Sequence, residues 1–306
     1  MQECTDRYLA RRRYLAAMPE TALSERLVHL VNNCVRLDAH SMVQLRATED
    51  PDMFMRLLDV LAEIGIRHGG IQTQSKEPWD HTRNAMIRPG AAIAEKAQRL
   101  AAQIPRSDAL LFRFSKYEHM KELVDDGGML LQQASTFKDE ENISVRDDEL
   151  RLQFDRYVTP EEAATLDDIG ESMLRLGSNR LAFSLQCPDF LTLCMTDSVN
   201  YRMISDWRAE AAVVIHDPIE FQRRLANGTR HLASHGDTQH LEHGKLHYID
   251  PYFPLTSKDV PFCKHFRFAY QREFRFVIRK TEATEDNARK IFLGPLTDIA
   301  TLVDLR

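Results

Sequence analysis

The chain has 306 residues, a net charge of −6 and a pI near 6.1, so no global positive field favours nucleic acid. An apolar fraction of 43% beside 28% charged residues argues against wholesale disorder. No uninterrupted apolar run approaches the roughly 20 residues of a membrane span, and five scattered cysteines without a Cys-x-x-Cys pair read as reduced thiols. Arg7 and the run Arg11-Arg12-Arg13 are followed by no apolar core, so no signal peptide or anchor is read. The expected setting is cytoplasmic, or delivery into a host or target cell.

Residues 1–104 read as helix throughout, with no strand pattern. Leu23, Leu27, Leu30, Val31 and Cys34 fall on one helical face. A further helix opens at Asp50-Pro51, a cap followed by a first-turn proline, and ends among Gly65, Gly69 and Gly70. Residues 70–88 read as a loop, and an alanine-rich helix follows Pro89 over about 90–103.

Near residue 105 the pattern changes to short strands, which divides the chain into a helical module, 1–104, and an α+β domain, 105–306. Leu110–Phe114 is a predicted strand, 116–124 a helix, Asp126-Gly127-Gly128 a turn and Met129–Leu131 the next strand. The acidic run over 138–149 reads as a solvated loop. Helix is expected over 160–177, strands at 181–185, 191–195 and 211–215, and short helices at 198–207 and 218–226. The tail adds strands at 272–279 and 291–293 before Gly294-Pro295.

Two constellations carry chemistry. His231, His235, His240, His243 and His247 crowd one polar stretch, and the i,i+4 spacings suit zinc on a helix. Gly236 and Gly244 interrupt such a helix, so a surface loop is the expectation there and no metal ligand is assigned. The other is Gln271-Arg272-Glu273-Phe274-Arg275-Phe276, read as a strand with Phe274, Phe276 and Ile278 on one face and Gln271, Glu273 and Arg275 on the other. Arg113 between Phe112 and Phe114, Ser135-Thr136-Phe137, and Cys194–Ser198 precede it in order. No phosphate-binding glycine loop and no nucleophile elbow is present.

The segments 111–114, 134–139, 193–198, 270–276 and 291–295 resemble a widespread bacterial domain of unknown function, spanning about 110 to 296. Met195-Thr196 and Met203-Ile204 depart from its pattern. The order of Arg113, Ser135-Thr136 and Gln271-x-Glu273 is also similar to the Arg-Ser-Glu class of mono-ADP-ribosyltransferases, with Phe137 in place of the third Ser-Thr-Ser element.

That resemblance implies an ADP-ribosyltransferase-like split sheet, NAD as substrate, and a toxin, effector or phage-defence role. Glu273, Gln271 and Ser135 become the candidate catalytic residues, and Arg113, Thr136, Phe137 and Tyr201 the candidate NAD contacts. A carboxylate beside the ribose would stabilise the oxocarbenium-like state of nicotinamide loss, and a guanidinium suits the pyrophosphate. The acceptor is expected to be a macromolecule, protein before nucleic acid. The helical module would select that target or bind a neutralising partner through Arg7, Arg11, Arg12 and Arg13. Two alternatives stay open: a non-enzymatic scaffold that binds a ligand or partner, and a metal-dependent nuclease or hydrolase. Each candidate also has a structural explanation, such as a solvated strand face for Glu273 and Arg275, a turn for Ser135-Thr136, and core packing for Tyr201.

Overall fold

The computed structural model describes residues 2–38, 43–45, 50–69, 91–105, 110–142, 144, 146–165, 173–175, 179–230, 241–253, 257–279 and 288–306. The predicted loop at 70–88, and His231, His235 and His240, lie outside them.

The chain begins with helices α1 (Gln2–Ala10), α2 (Glu20–Cys34) and α3 (Pro51–His68). Asp50 caps α3, its carboxylate accepting from the Met53 amide at 3.0 Å, and Gly69 ends it at φ 70°. Between α2 and α3 lies a two-stranded hairpin of β1 (Val35–Leu37) and β2 (Val43–Leu45), where no strand was expected. Three residues are too few to display a period of two against a helical background.

Helix α4 (Ala91–Gln103) leaves this group. Its Ala97 and Leu100 pack with Phe112, Val214 and Val303 of the main sheet, whereas α1 to α3 share a core with Tyr252 and Phe266 from far along the chain. The helices of residues 1–104 therefore belong to two cores.

The main sheet has eight strands, all paired antiparallel. Its path runs β10 (Leu241–Lys245), β13 (Glu273–Arg279), β8 (Phe190–Thr196), β3 (Leu111–Ser115), β9 (Ala211–Ile215), β15 (Ala300–Asp304). β4 (Gly128–Gln133) branches from β8 and carries β14 (Ala288–Phe292). One face packs on α5 (Tyr117–Asp125) and α8 (Pro218–Thr229), burying Met120, Leu123 and Phe221 against Leu193, Phe276 and Ile278. Across β3, β9 and β15 the other face is closed by α4 and α7 (Arg202–Asp206).

A smaller sheet of β5 (Arg151–Tyr157), β7 (Arg180–Gln186) and β6 (Met173–Arg175) stands beside it. Of the helix expected over 160–177, Pro160–Thr165 forms α6, whereas Met173–Arg175 is a strand that pairs with β7; residues 166–172 and 176–178 lie outside the described residues. Tertiary pairing outweighs the local preference there. β11 (His247–Ile249) and β12 (Cys263–His265) form a parallel pair; His247 on β11 and His243 on β10 thus lie on strands and not on the expected loop. Mixed helix and antiparallel sheet make the chain α+β. No helix among the described residues is long and apolar enough to cross a membrane.

Candidate functional site

The site is built where the sheet forks. β8 pairs with β13 along its whole length, but its other edge is shared: β4 holds Leu191 and Thr192, β3 holds Thr196. Leu193, Cys194 and Met195 face the gap between β3 and β4, and the Arg113 Nη1 donates to the Cys194 carbonyl there at 2.7 Å. A cavity of about 590 Å³ occupies the fork, lined by Arg113, Phe137, Cys194, Lys264, Gln271 and Glu273 among others.

Register decides what faces what. Glu273 lies opposite Thr196 and Arg275 opposite Cys194, so these four share one polar face of the sheet. Arg113 lies opposite Val213, which belongs to the α5 and α8 side. Arg113 and Glu273 thus leave the sheet on opposite faces and meet in one cavity only because the sheet is open between β3 and β4.

Glu273 does not stand alone. Its Oε1 accepts from the Arg275 Nε at 2.9 Å and its Oε2 from the Lys264 Nζ at 3.0 Å. Glu149 pairs with the same two cations, at 2.7 Å to Arg275 Nη2 and 3.3 Å to Lys264. All four side chains are buried, and Arg275 is fully so. Burial works to raise the Glu273 carboxyl, but the Arg275 and Lys264 charges overturn it and hold it at about 2. Two carboxylates and two cations cancel. Arg113, whose guanidinium has no carboxylate partner among the described residues, is held below the usual arginine range by burial. The unmatched charge of the cavity is therefore positive.

Of the expected residues, Arg113, Phe137, Gln271 and Glu273 line this cavity. Ser135, Thr136 and Tyr201 do not line it. The Ser135 hydroxyl donates to Asp189 at 2.6 Å, Thr136 donates to the Gln133 carbonyl at 2.7 Å, and Tyr201 packs with Met203 and Ile204. Gln271 does not lie on the strand as expected. It ends a 3-10 turn, Phe266–Gln271, and Arg272 in a left-handed conformation (φ 45°) separates it from β13. Its Nε2 donates to the Ser144 carbonyl at 2.8 Å.

The acidic run is only in part the solvated loop expected from its charge: Asp139, Glu141 and Asp148 are exposed, while other residues of the run turn inward to the site. Besides Ser144, it contributes Glu149, and Asn142 donates to the Asp206 carbonyl at 2.7 Å. Glu149 and Lys264 are the residues sequence reading missed. Each carried a signal: Lys264 directly follows the apolar run Val260–Cys263, and Glu149 adjoins the alternating apolar residues of β5.

Compared with family models, curated proteins and solved structures, the chain matches none.

The site can hold an anion at Arg113 and present an ionised carboxylate to an electron-poor centre. Burial pushes the Cys194 thiol up to about 12, which removes it as a nucleophile near neutral pH. Among the described residues no group of three or more His, Cys, Asp or Glu is placed to hold a metal.

Proposed function

We propose that this chain is a mono-ADP-ribosyltransferase that binds NAD in the forked-sheet cavity and passes ADP-ribose to a macromolecular acceptor, protein before nucleic acid. The split of the sheet is read as ADP-ribosyltransferase-like, and the setting as that of a bacterial toxin, effector or phage-defence protein. The observation that carries the reading is the pairing, in one cavity, of a cation without a carboxylate partner, Arg113, with an ionised carboxylate, Glu273.

Arg113 takes the pyrophosphate, whose oxygens match its planar fork. Phe137 lies against the nicotinamide ring. The nicotinamide–ribose C–N bond breaks with its electron pair leaving on nicotinamide, and the Glu273 carboxylate stabilises the cationic ribose that remains. A nucleophile of the acceptor then bonds to the ribose C1′ and releases its proton to water. Gln271 orients that nucleophile once its bond to Ser144 yields. Ser135 and Thr136 act at second hand, by fixing the turn that carries Phe137, and Tyr201 supports α7.

The test is release of labelled nicotinamide from NAD, followed by mass spectrometry of a lysate for transferred label. Glu273→Gln should lose at least about 100-fold in release, the scale of one strong electrostatic contact, with its circular dichroism unchanged. Equal release from wild type and variant would remove Glu273 from the chemistry. The closed pairing of Glu149, Lys264, Glu273 and Arg275 favours one other reading, a scaffold that binds its ligand without reaction. NAD bound but left intact is the outcome that selects it.

A further inference from the structure

Helix α7 ends in a motif that calls for glycine. The Ala209 amide donates to the Ile204 carbonyl at 2.9 Å and the Arg208 amide to the Ser205 carbonyl at 3.0 Å, the two bonds of a Schellman C-cap. Ala209 and Ile204 also pack together, as that motif prefers. The residue between them must be left-handed, and here it is Arg208 at φ 49°. A side chain in that conformation is strained relative to glycine, and strained residues of this kind concentrate at ligand sites.

Arg13 and Arg272 are also left-handed, and each grips a carboxylate, Glu63 and Asp197 respectively. Arg12 shares the conformation but lines no cavity described here. Arg208 is exposed, lines the fork cavity, and has no carboxylate partner among the described residues. Its neighbour Trp207 lines the same cavity, half-buried, with its ring 5.5 Å from that of Phe114. Lys116 and His119, from the start of α5, line it as well. Two acids share the lining outside the neutral cluster: Glu122, which pairs with Lys290, and Glu140.

The corner is held rigid from behind. The Asp206 carboxylate accepts from Arg202 at 2.8 Å and from the Tyr270 hydroxyl at 3.0 Å, and its carbonyl accepts from Asn142. A fixed corner that offers a cation and a flat ring suits a nucleotide.

We propose that Arg208 and Arg113 together bind the diphosphate of a nucleoside-diphosphate ligand, with the Trp207 indole against its base. This rests on the NAD reading for the rest of the ligand, and deepens it by naming where the nucleotide end is held. Strain explains the choice of residue: glycine would suit the backbone better, but it carries no cation for the anion contact, which arginine makes through a planar fork.

The experiment is calorimetric titration of the whole chain with ADP-ribose and, separately, with inorganic pyrophosphate. Wild type is compared with Arg208→Gly and Arg208→Lys, and melting temperature is measured for each. Arg208→Gly should weaken both ligands by about 10-fold, as for loss of one charge-assisted contact, and Arg208→Lys should recover part of it. The melting temperature of Arg208→Gly should stay level or rise by about 2 °C, because the left-handed strain is relieved. A residue with only a structural role would not weaken binding while the fold held or gained stability.

Unchanged ADP-ribose affinity in Arg208→Gly overturns the inference and leaves the NAD reading standing if wild type still releases nicotinamide. Pyrophosphate binding that depends on Arg208, in a protein that never cleaves NAD, keeps the anion corner and removes the transferase reading alone. Failure of wild type to bind either probe overturns the corner.

Discussion

Asp147 shows how a single carboxyl reports on the buried charges beside it. It lies on the acidic run two residues before Glu149, its side chain 21% exposed and 3.7 Å from Arg267. Burial first, and then the Glu149 charge, push its carboxyl from 3.8 up to about 6 despite the nearby cations. The folded state therefore holds that proton more tightly than the unfolded chain does. The stabilisation is fully present below about pH 4 and is lost as pH rises through 6. Asp147→Asn cannot lose it. Urea unfolding at pH 4, 5.5 and 7 should show the wild type falling behind the variant, by at most about 3 kcal/mol at the top of the range. Parallel pH profiles for the two proteins would show that Asp147 titrates normally. Glu273 and Asp250, whose carboxyls are held down, titrate in both proteins and drop out of the difference.

Among the elements, the fork depends on β4 leaving β8 at a fixed angle, and that depends on the turn before β4. Gly127 stands there at φ 70°, its carbonyl accepting from the Leu293 amide at 3.0 Å. A Cβ on Gly127 would lie 2.1 Å from the Gly294 carbonyl oxygen, where backbone meets backbone and neither can give way cheaply. Gly127→Ala should cost at least about 3 kcal/mol, a left-handed penalty of 1–2 with the overlap added. Gly128→Ala meets only the flexible Glu122 side chain and should cost less. Equal midpoints in urea for the two variants would show that the turn rearranges freely. The Asp126-Gly127-Gly128 turn was legible in the sequence, as were β8, β9, α8 and most of β13, because each shows a full period or a cap. β1, β2, β6, β11 and β12 were not, being three residues long and held by partners distant in sequence or by a hairpin, and neither were the longer β5, β10 and β15, whose partners β7, β13 and β9 lie far along the chain. The fork itself could not be read, since it arises from one strand edge shared by β3 and β4, both remote from β8 in the chain. For the same reason Arg113, Gln271 and Glu273 were picked out by residue type and order, while Lys264, which with Arg275 holds the Glu273 carboxyl down, and Glu149, which pairs with the same two cations, were not.

At the scale of the whole molecule, the composition change near residue 105 marks a change of secondary structure within a shared packing. α2 lies against the 3-10 turn Phe266–Gln271 that feeds Gln271 and Glu273 into the cavity. Asn33 donates to the Phe266 carbonyl and accepts from the Tyr270 amide, both at 2.8 Å. Behind it, Arg26 and Asp250 form a bidentate pair at 3.1 and 2.7 Å, with side chains 4% and 1% exposed. Burial works to raise the Asp250 carboxyl, and Arg26 outweighs it and holds it below its usual range. Its stabilising contribution is present above the ordinary carboxyl pKa and is lost as pH falls through the depressed one. Asp250→Asn leaves Arg26 buried without its counter-charge and should cost about 3–5 kcal/mol, whereas replacing both partners by apolar residues of similar volume should recover most of it. Because the pair joins α2 to the segment entering the site, the helical layer and the sheet should unfold together. Far-ultraviolet circular dichroism and tryptophan fluorescence, the latter including Trp207 beside the sheet, should give coincident urea midpoints in wild type and a common downward shift in Asp250→Asn. Separate midpoints would mean that α1 to α3 form an independent module after all. A common shift would make the helical layer part of what holds Gln271 and Glu273 in place, so that nicotinamide release, if NAD is the substrate, should fall in Asp250→Asn at denaturant concentrations where the wild type is still folded.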